Sequence, residues 1–89
     1  FLTVTLNGLL GTYDIKSMSF IIEPKYDRMR SYGNFYIIEF EGNFGVISED
    51  GTLILTPKYQ DVKGVIGGFI AKKNGKFGLA NEKGTFQYK

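Results

Sequence analysis

The chain repeats itself every 33 residues, and that period limits the fold more than any other feature of the sequence. Pro24-Lys25-Tyr26 returns as Pro57-Lys58-Tyr59, Gly42-Asn43-Phe44-Gly45 as Gly75-Lys76-Phe77-Gly78, and Gly51-Thr52 as Gly84-Thr85. Tyr36-Ile37 corresponds to Phe69-Ile70. A weaker copy opens the chain. Asn7-Gly8-Leu9-Leu10-Gly11 aligns with Asn74-Gly75-Lys76-Phe77-Gly78 once one extra residue is allowed between Gly11 and Pro24, and Leu10 then stands where the later copies have Phe. About two and a half copies fill the 89 residues. A single recurrence of three residues arises by chance; several in one register do not. A unit this short buries no adequate core alone, so successive units are expected to pack on one another.

Each unit reads as strands joined by tight turns. Asn74-Gly75 sits between two strand-like runs, and both residue types tolerate the positive φ that a type I′ turn requires. Asn7-Gly8 repeats the pair, and Glu41-Gly42 is its less ideal middle form. Ser48-Glu49-Asp50-Gly51 and Asn81-Glu82-Lys83-Gly84 predict a second, longer turn closed by a left-handed Gly. The strands expected lie at 2–6, 9–15, 18–22, 35–40, 43–48, 52–55, 68–73, 76–81 and 85–88. Pro24 and Pro57 are expected to end pairing. Residues 25–34 and 58–67 then carry the chain to the next unit, with Ser31–Asn34 and Gly64–Gly68 as loops. No segment has a convincing helical period; the best candidate, Tyr26–Tyr32, is short and uncapped. Ile, Val and Thr are abundant and Ala occurs only at Ala71 and Ala80, which favours strands. The fold expected is all-β: an antiparallel meander of tandem three-stranded β-hairpin repeats with nine short strands. It forms one domain over 1–89, with units near 1–34, 35–67 and 68–89. An open stack, a barrel-like meander and a propeller fragment all fit the pattern. The first residue is Phe1 rather than Met, so a piece of a longer or processed chain is expected.

Composition narrows the chemistry. The chain has no Cys and no His, which removes disulfides, a thiol nucleophile, the common zinc sites and imidazole catalysis. The absence of Cys indicates no compartment. The net charge of +2 specifies no nucleic-acid or membrane partner by itself, and neither is expected. The longest strictly apolar run, Phe35–Ile38, is far shorter than a membrane span. Charge is unevenly placed. Residues 1–57 carry four basic and seven acidic side chains (−3), and residues 58–89 carry seven and two (+5). Equivalent positions change sign, Glu39 becoming Lys72 and Asp50 becoming Lys83. A solvated mixed surface accounts for this most simply. Pairing between successive units, or a basic end that docks an acidic partner, are the alternatives.

The succession NGKFG, acidic-Gly turn, Ile-rich strand and PKY resembles the WG-repeat family of bacterial proteins. The matching residues are Asn74-Gly75-Lys76-Phe77-Gly78, Glu41-Gly42-Asn43-Phe44-Gly45, Pro24-Lys25-Tyr26-Asp27 and Pro57-Lys58-Tyr59-Gln60. Phe replaces the family's Trp in both good copies, and Leu replaces it in the first. The resemblance implies a tandem array of β-hairpins, often within larger bacterial proteins, and no settled biochemical activity.

Phe44 and Phe77 each precede a Gly and are expected to fill the core between hairpins; the rival is an exposed stacking platform. Tyr26 and Tyr59 either pack over the next hairpin with their hydroxyls at the rim or form a row of ligand-facing rings. Lys72, Lys73 and Lys76 surround a hairpin tip, where lysines ordinarily serve solubility and edge protection. These five residues, Tyr26, Tyr59, Lys72, Lys73 and Lys76, are the candidate partner contacts. The carboxylate clusters Glu39/Glu41 and Glu49/Asp50 lie at turns, where acids are solvated. No catalytic residue, cofactor or metal is expected. The function expected is a non-enzymatic repeat module, either a scaffold or a β surface that meets a protein, a peptide or adjacent repeats. The alternative is a carbohydrate- or cell-wall-binding hairpin module, although such repeats are shorter and richer in Trp.

Overall fold

The computed structural model describes residues 2–88. Its elements are β1 (Leu2–Leu6), β2 (Leu9–Asp14), β3 (Ser19–Tyr26), β4 (Arg28–Tyr32), β5 (Phe35–Phe40), β6 (Asn43–Ser48), β7 (Leu53–Tyr59), β8 (Asp61–Val65), β9 (Gly68–Lys73), β10 (Lys76–Asn81) and β11 (Phe86–Tyr88). Every element is a strand, and all pairing is antiparallel. The strands make three separate sheets in chain order: β1-β2-β3, β4-β5-β6-β7 and β8-β9-β10-β11.

The tight hairpins form where the sequence places them. Asn7-Gly8, Glu41-Gly42 and Asn74-Gly75 all adopt positive φ at both positions, from 52° to 84°. Glu41 is the poorest of these residues for that conformation, and its backbone N–H donates to the Asp27 carboxylate at 2.9 Å. In the longer turn, the Ser48 hydroxyl and the Thr52 N–H bind the Asp50 carboxylate and hold it below the ordinary range. Asn81 does the same work one period later, its Oδ1 accepting from the Lys83 and Thr85 N–H groups.

Two expectations need correction. The segments expected to be connectors contain β4 and β8, so the described residues form eleven strands rather than nine. Each sends few apolar side chains inward, Met29 from β4 and Val62 from β8, which gives almost no alternation to read. The prolines also lie inside β3 and β7 and do not end them. The ladder shifts register around each Pro, from Leu10↔Tyr26 to Thr12↔Ile22 and from Phe44↔Tyr59 to Val46↔Leu55. A Cβ on Gly11 or Gly45 would press on the Ile22 or Leu55 carbonyl and on the proline nitrogen, so this bulge needs the glycine opposite.

Single residues join the sheets, and they bind forward. Asp27 N–H donates to the Glu39 carbonyl at 2.8 Å and Gln60 N–H to the Lys72 carbonyl at 2.7 Å. The Gln60 side-chain oxygen accepts from Gly75 N–H at 3.0 Å, one residue further along its hairpin than the shorter Asp27 reaches.

The second sheet is sandwiched between the other two. Ile38 and Ile47 pack with Ile22 and Tyr26 of β3. Their chain neighbours Ile37 and Val46 turn the opposite way and pack with Val62, Phe69, Ala71 and Ala80 of the third sheet. The stack measures 40 × 24 × 14 Å. Thr12 occupies, in the first sheet, the place that Val46 holds in the second; it is fully buried and its hydroxyl has no hydrogen-bond partner. Thr12→Val copies the second unit and should raise stability by about 1 kcal/mol in urea unfolding.

Glycine closes the longer turn where a preceding sheet lies against it. A Cβ on Gly51 (φ +94°) would stand 2.6 Å from the Ile21 carbonyl oxygen of β3, and one on Gly84 (φ +87°) would strike the Ile54 carbonyl of β7. The first unit has Met18 at this position, also left-handed (φ 56°) but 77% exposed.

Candidate functional site: a cleft between the second and third sheets

The two junctions between sheets are built from equivalent residues, yet they are filled differently. At the first junction the Tyr26 ring meets Phe40 edge-on, with centroids 6.2 Å apart, above Ile38 and Ile47. One period later Phe40 becomes Lys73, Ile38 becomes Ala71 and Ile47 becomes Ala80. Three large apolar side chains are thereby lost from the packing between sheets. Tyr59 is met instead by Phe86, 5.7 Å away and tilted by 44°. Phe86 fills only part of the space. A cleft of about 480 Å³ remains, walled by Tyr59, Ala71 and Phe86 and rimmed by Lys58, Lys73 and Lys76. A hollow at the first junction is about 220 Å³, shares with the cleft only the positions of Lys25, Tyr26 and Leu53, and carries Glu23 beside Lys25. No acidic side chain lines the larger one.

The cleft gathers Tyr59, Lys73 and Lys76 of the five candidate residues. Tyr26 lies at the other junction. Both tyrosines are core, 4% and 7% exposed, so the ligand-facing row is replaced by rings packed within the stack. A lysine rides over each: Lys25 Nζ is 5.6 Å from the Tyr26 centroid and Lys58 Nζ 5.8 Å from that of Tyr59. Burial pushes the Tyr59 phenol above its usual range. Lys72 points to the outer face of the third sheet and sits 5.5 Å from the Phe77 centroid. Phe77 itself departs from expectation: Phe44 packs against the core between the second and third sheets, whereas Phe77 is 60% exposed and borders the cleft. The two Phe-Gly sites nonetheless share one backbone setting, Phe44 opposite Glu39 and Phe77 opposite Lys72.

Lys58, Ala71 and Phe86 were not singled out from the sequence. The signal that finds them is the place where the aligned copies disagree, Phe40 with Lys73 and Ile38 with Ala71.

The change of sign between units also has a local cause. Arg28 stands opposite Glu39 across β4 and β5, with Nε 3.7 Å from the carboxylate, and Asp61 stands opposite Lys72 in the same register of β8 and β9. Both members of the pair are reversed together, so the charges match strands within a sheet rather than successive units. Arg28→Asp should cost about 0.5 kcal/mol and adding Glu39→Lys should recover most of it, as read by a double-mutant cycle in urea.

The family description "WG containing repeat" matches residues 44–77, from one Phe-Gly site to the next. Neither a curated protein nor a solved structure matches the chain. The matched segment runs from β6 of the second sheet to the start of β10 in the third, and so holds the junction that forms the cleft, including Lys58, Tyr59, Ala71, Lys73 and Lys76. Over that segment the chain is similar to the WG-repeat family.

Proposed function

We propose that this repeat module works without catalysis and binds a protein or peptide segment in the cleft between its second and third sheets. One observation carries the reading: the stack leaves a hollow of about 220 Å³ at its first junction but a cleft of about 480 Å³ at its second, where apolar walls meet three lysines. A built pocket combines a mostly apolar lining with a few convergent polar groups, and this one has that form. The acidic residues support a non-enzymatic role. Glu39 is engaged with Arg28, Glu41 occupies a tight turn, and Glu49 and Asp50 lie in the exposed longer turn.

Selection from a random peptide display library on the immobilised protein tests the reading. Enriched peptides should bind saturably and lose binding in the Lys58→Ala/Lys76→Ala double variant. Failure to enrich any peptide, with saturable binding to cell-wall polymer instead, would replace it with the carbohydrate alternative.

A further inference from the structure

We infer that the cleft accepts an aromatic side chain flanked by carboxylates, which identifies its partner as an acidic, aromatic-bearing peptide. This inference rests on the peptide-binding reading above and names its ligand chemistry.

The internal repeat supplies the ring. At the first junction the chain fills this position with its own Phe40, edge-on to Tyr26. At the second, Lys73 stands at that position and is exposed, while Tyr59 keeps its place in the core. A benzyl group from a second molecule can thus take up beside Tyr59 the role that Phe40 plays beside Tyr26, with Ala71 leaving the depth that Ile38 fills elsewhere. Offset and edge-to-face aromatic pairs are favourable beyond the area they bury. The opening is larger than one ring, so backbone adjacent to that ring can enter with it.

The rim supplies the sign. Lys58 at the end of β7, Lys73 at the end of β9 and Lys76 at the start of β10 surround the opening, and no carboxylate lines it. An occupant with carboxylates on either side of its ring pairs with these ammonium groups; a cationic occupant is repelled. The smaller hollow at the first junction has Glu23 beside Lys25 and its ring position already filled, so it offers neither half of this recognition.

The test is a titration followed by amide NMR, with acetylated, amidated Glu-Phe-Glu as the probe and Glu-Ala-Glu, Lys-Phe-Lys and polygalacturonate as comparators. With Glu-Phe-Glu, amides near 58–59 and 71–76 should shift saturably, and salt should weaken the binding. Removing the ring or reversing the charges should each weaken it at least about tenfold. Lys73→Phe restores the residue of the first junction and should abolish probe binding while leaving amides of the first sheet unmoved. The Lys58→Glu/Lys76→Glu variant, which changes two exposed side chains, should lose Glu-Phe-Glu and gain Lys-Phe-Lys. Equal binding of Glu-Phe-Glu and Glu-Ala-Glu, unchanged binding in Lys73→Phe, or preference for polygalacturonate would overturn the inference. Displayed peptides that bind the cleft without an acidic-aromatic pattern would sink the ligand chemistry alone, whereas no peptide binding of any kind would sink the peptide-binding reading with it.

Discussion

Gly51→Met should pull the first sheet away from the second, with a loss of about 3–5 kcal/mol in urea unfolding. The substitution places in the second unit the residue that the first unit already has. Met18 shows that a side chain is tolerated at this turn in a left-handed conformation when its surroundings are open. At Gly51 they are not, because the Ile21 carbonyl of the preceding sheet lies 2.6 Å from where the Cβ would be. The clash is with backbone, so rotamer adjustment cannot relieve it. The left-handed strain is common to both sites and amounts to about 1–2 kcal/mol; the remainder is specific to the junction. A small domain has only about 5 kcal/mol in hand, so a loss of this size undocks the sheet or unfolds the chain. Amide exchange should rise first at Ile21 and Ile22, which pack across that junction. Met18→Gly is the control and should change stability by less than about 1 kcal/mol. Gly51→Met with native stability would show that the sheets do not stack as described.

The same comparison gives the stack a polarity. Gly51 and Gly84 lie in turns that meet the carbonyl of a preceding sheet, whereas the equivalent Met18 lies in a turn of the first described sheet and is 77% exposed.

Much of this architecture was legible in the sequence because its determinants are local. Asn-Gly pairs locate the tight hairpins, and the period locates the units. β4 and β8 were not legible, because a strand that sends mainly Met29 or Val62 inward looks like a connector until its neighbour is known. Pro24 and Pro57 misled for a related reason: the bulge that accommodates each proline depends on a glycine on the partner strand, thirteen or twelve residues earlier. The cleft was half legible. Tyr59, Lys73 and Lys76 stand out as an aromatic beside Pro and a basic hairpin tip, but their convergence follows from volumes missing at Lys73, Ala71 and Ala80, and missing volume is visible only by comparing copies. Agreement between repeats located the scaffold; disagreement located the candidate site.

Tyr59→Ala should destabilise the chain by about 3–5 kcal/mol, and Tyr26→Ala by a similar amount, because each deletes a buried ring from a junction between sheets. Lost ligand binding in either variant therefore says nothing about a ring facing a ligand, and Tyr59→Phe is the informative substitution. It keeps the ring against Phe86 and removes only the hydroxyl, so stability at neutral pH should change by less than about 1 kcal/mol. The pH dependence should change as well. Burial raises the folded-state phenol above its unfolded value, so its contribution is fully present below pH 10 and is lost as pH climbs from there through the folded value. Tyr36 is raised in the same direction, by burial first and by Glu49 second, and contributes a parallel alkaline loss. Tyr59→Phe should flatten the alkaline limb of the stability profile without abolishing it. A profile identical to that of the parent chain would mean that the Tyr59 phenol is solvated, against the burial described for it.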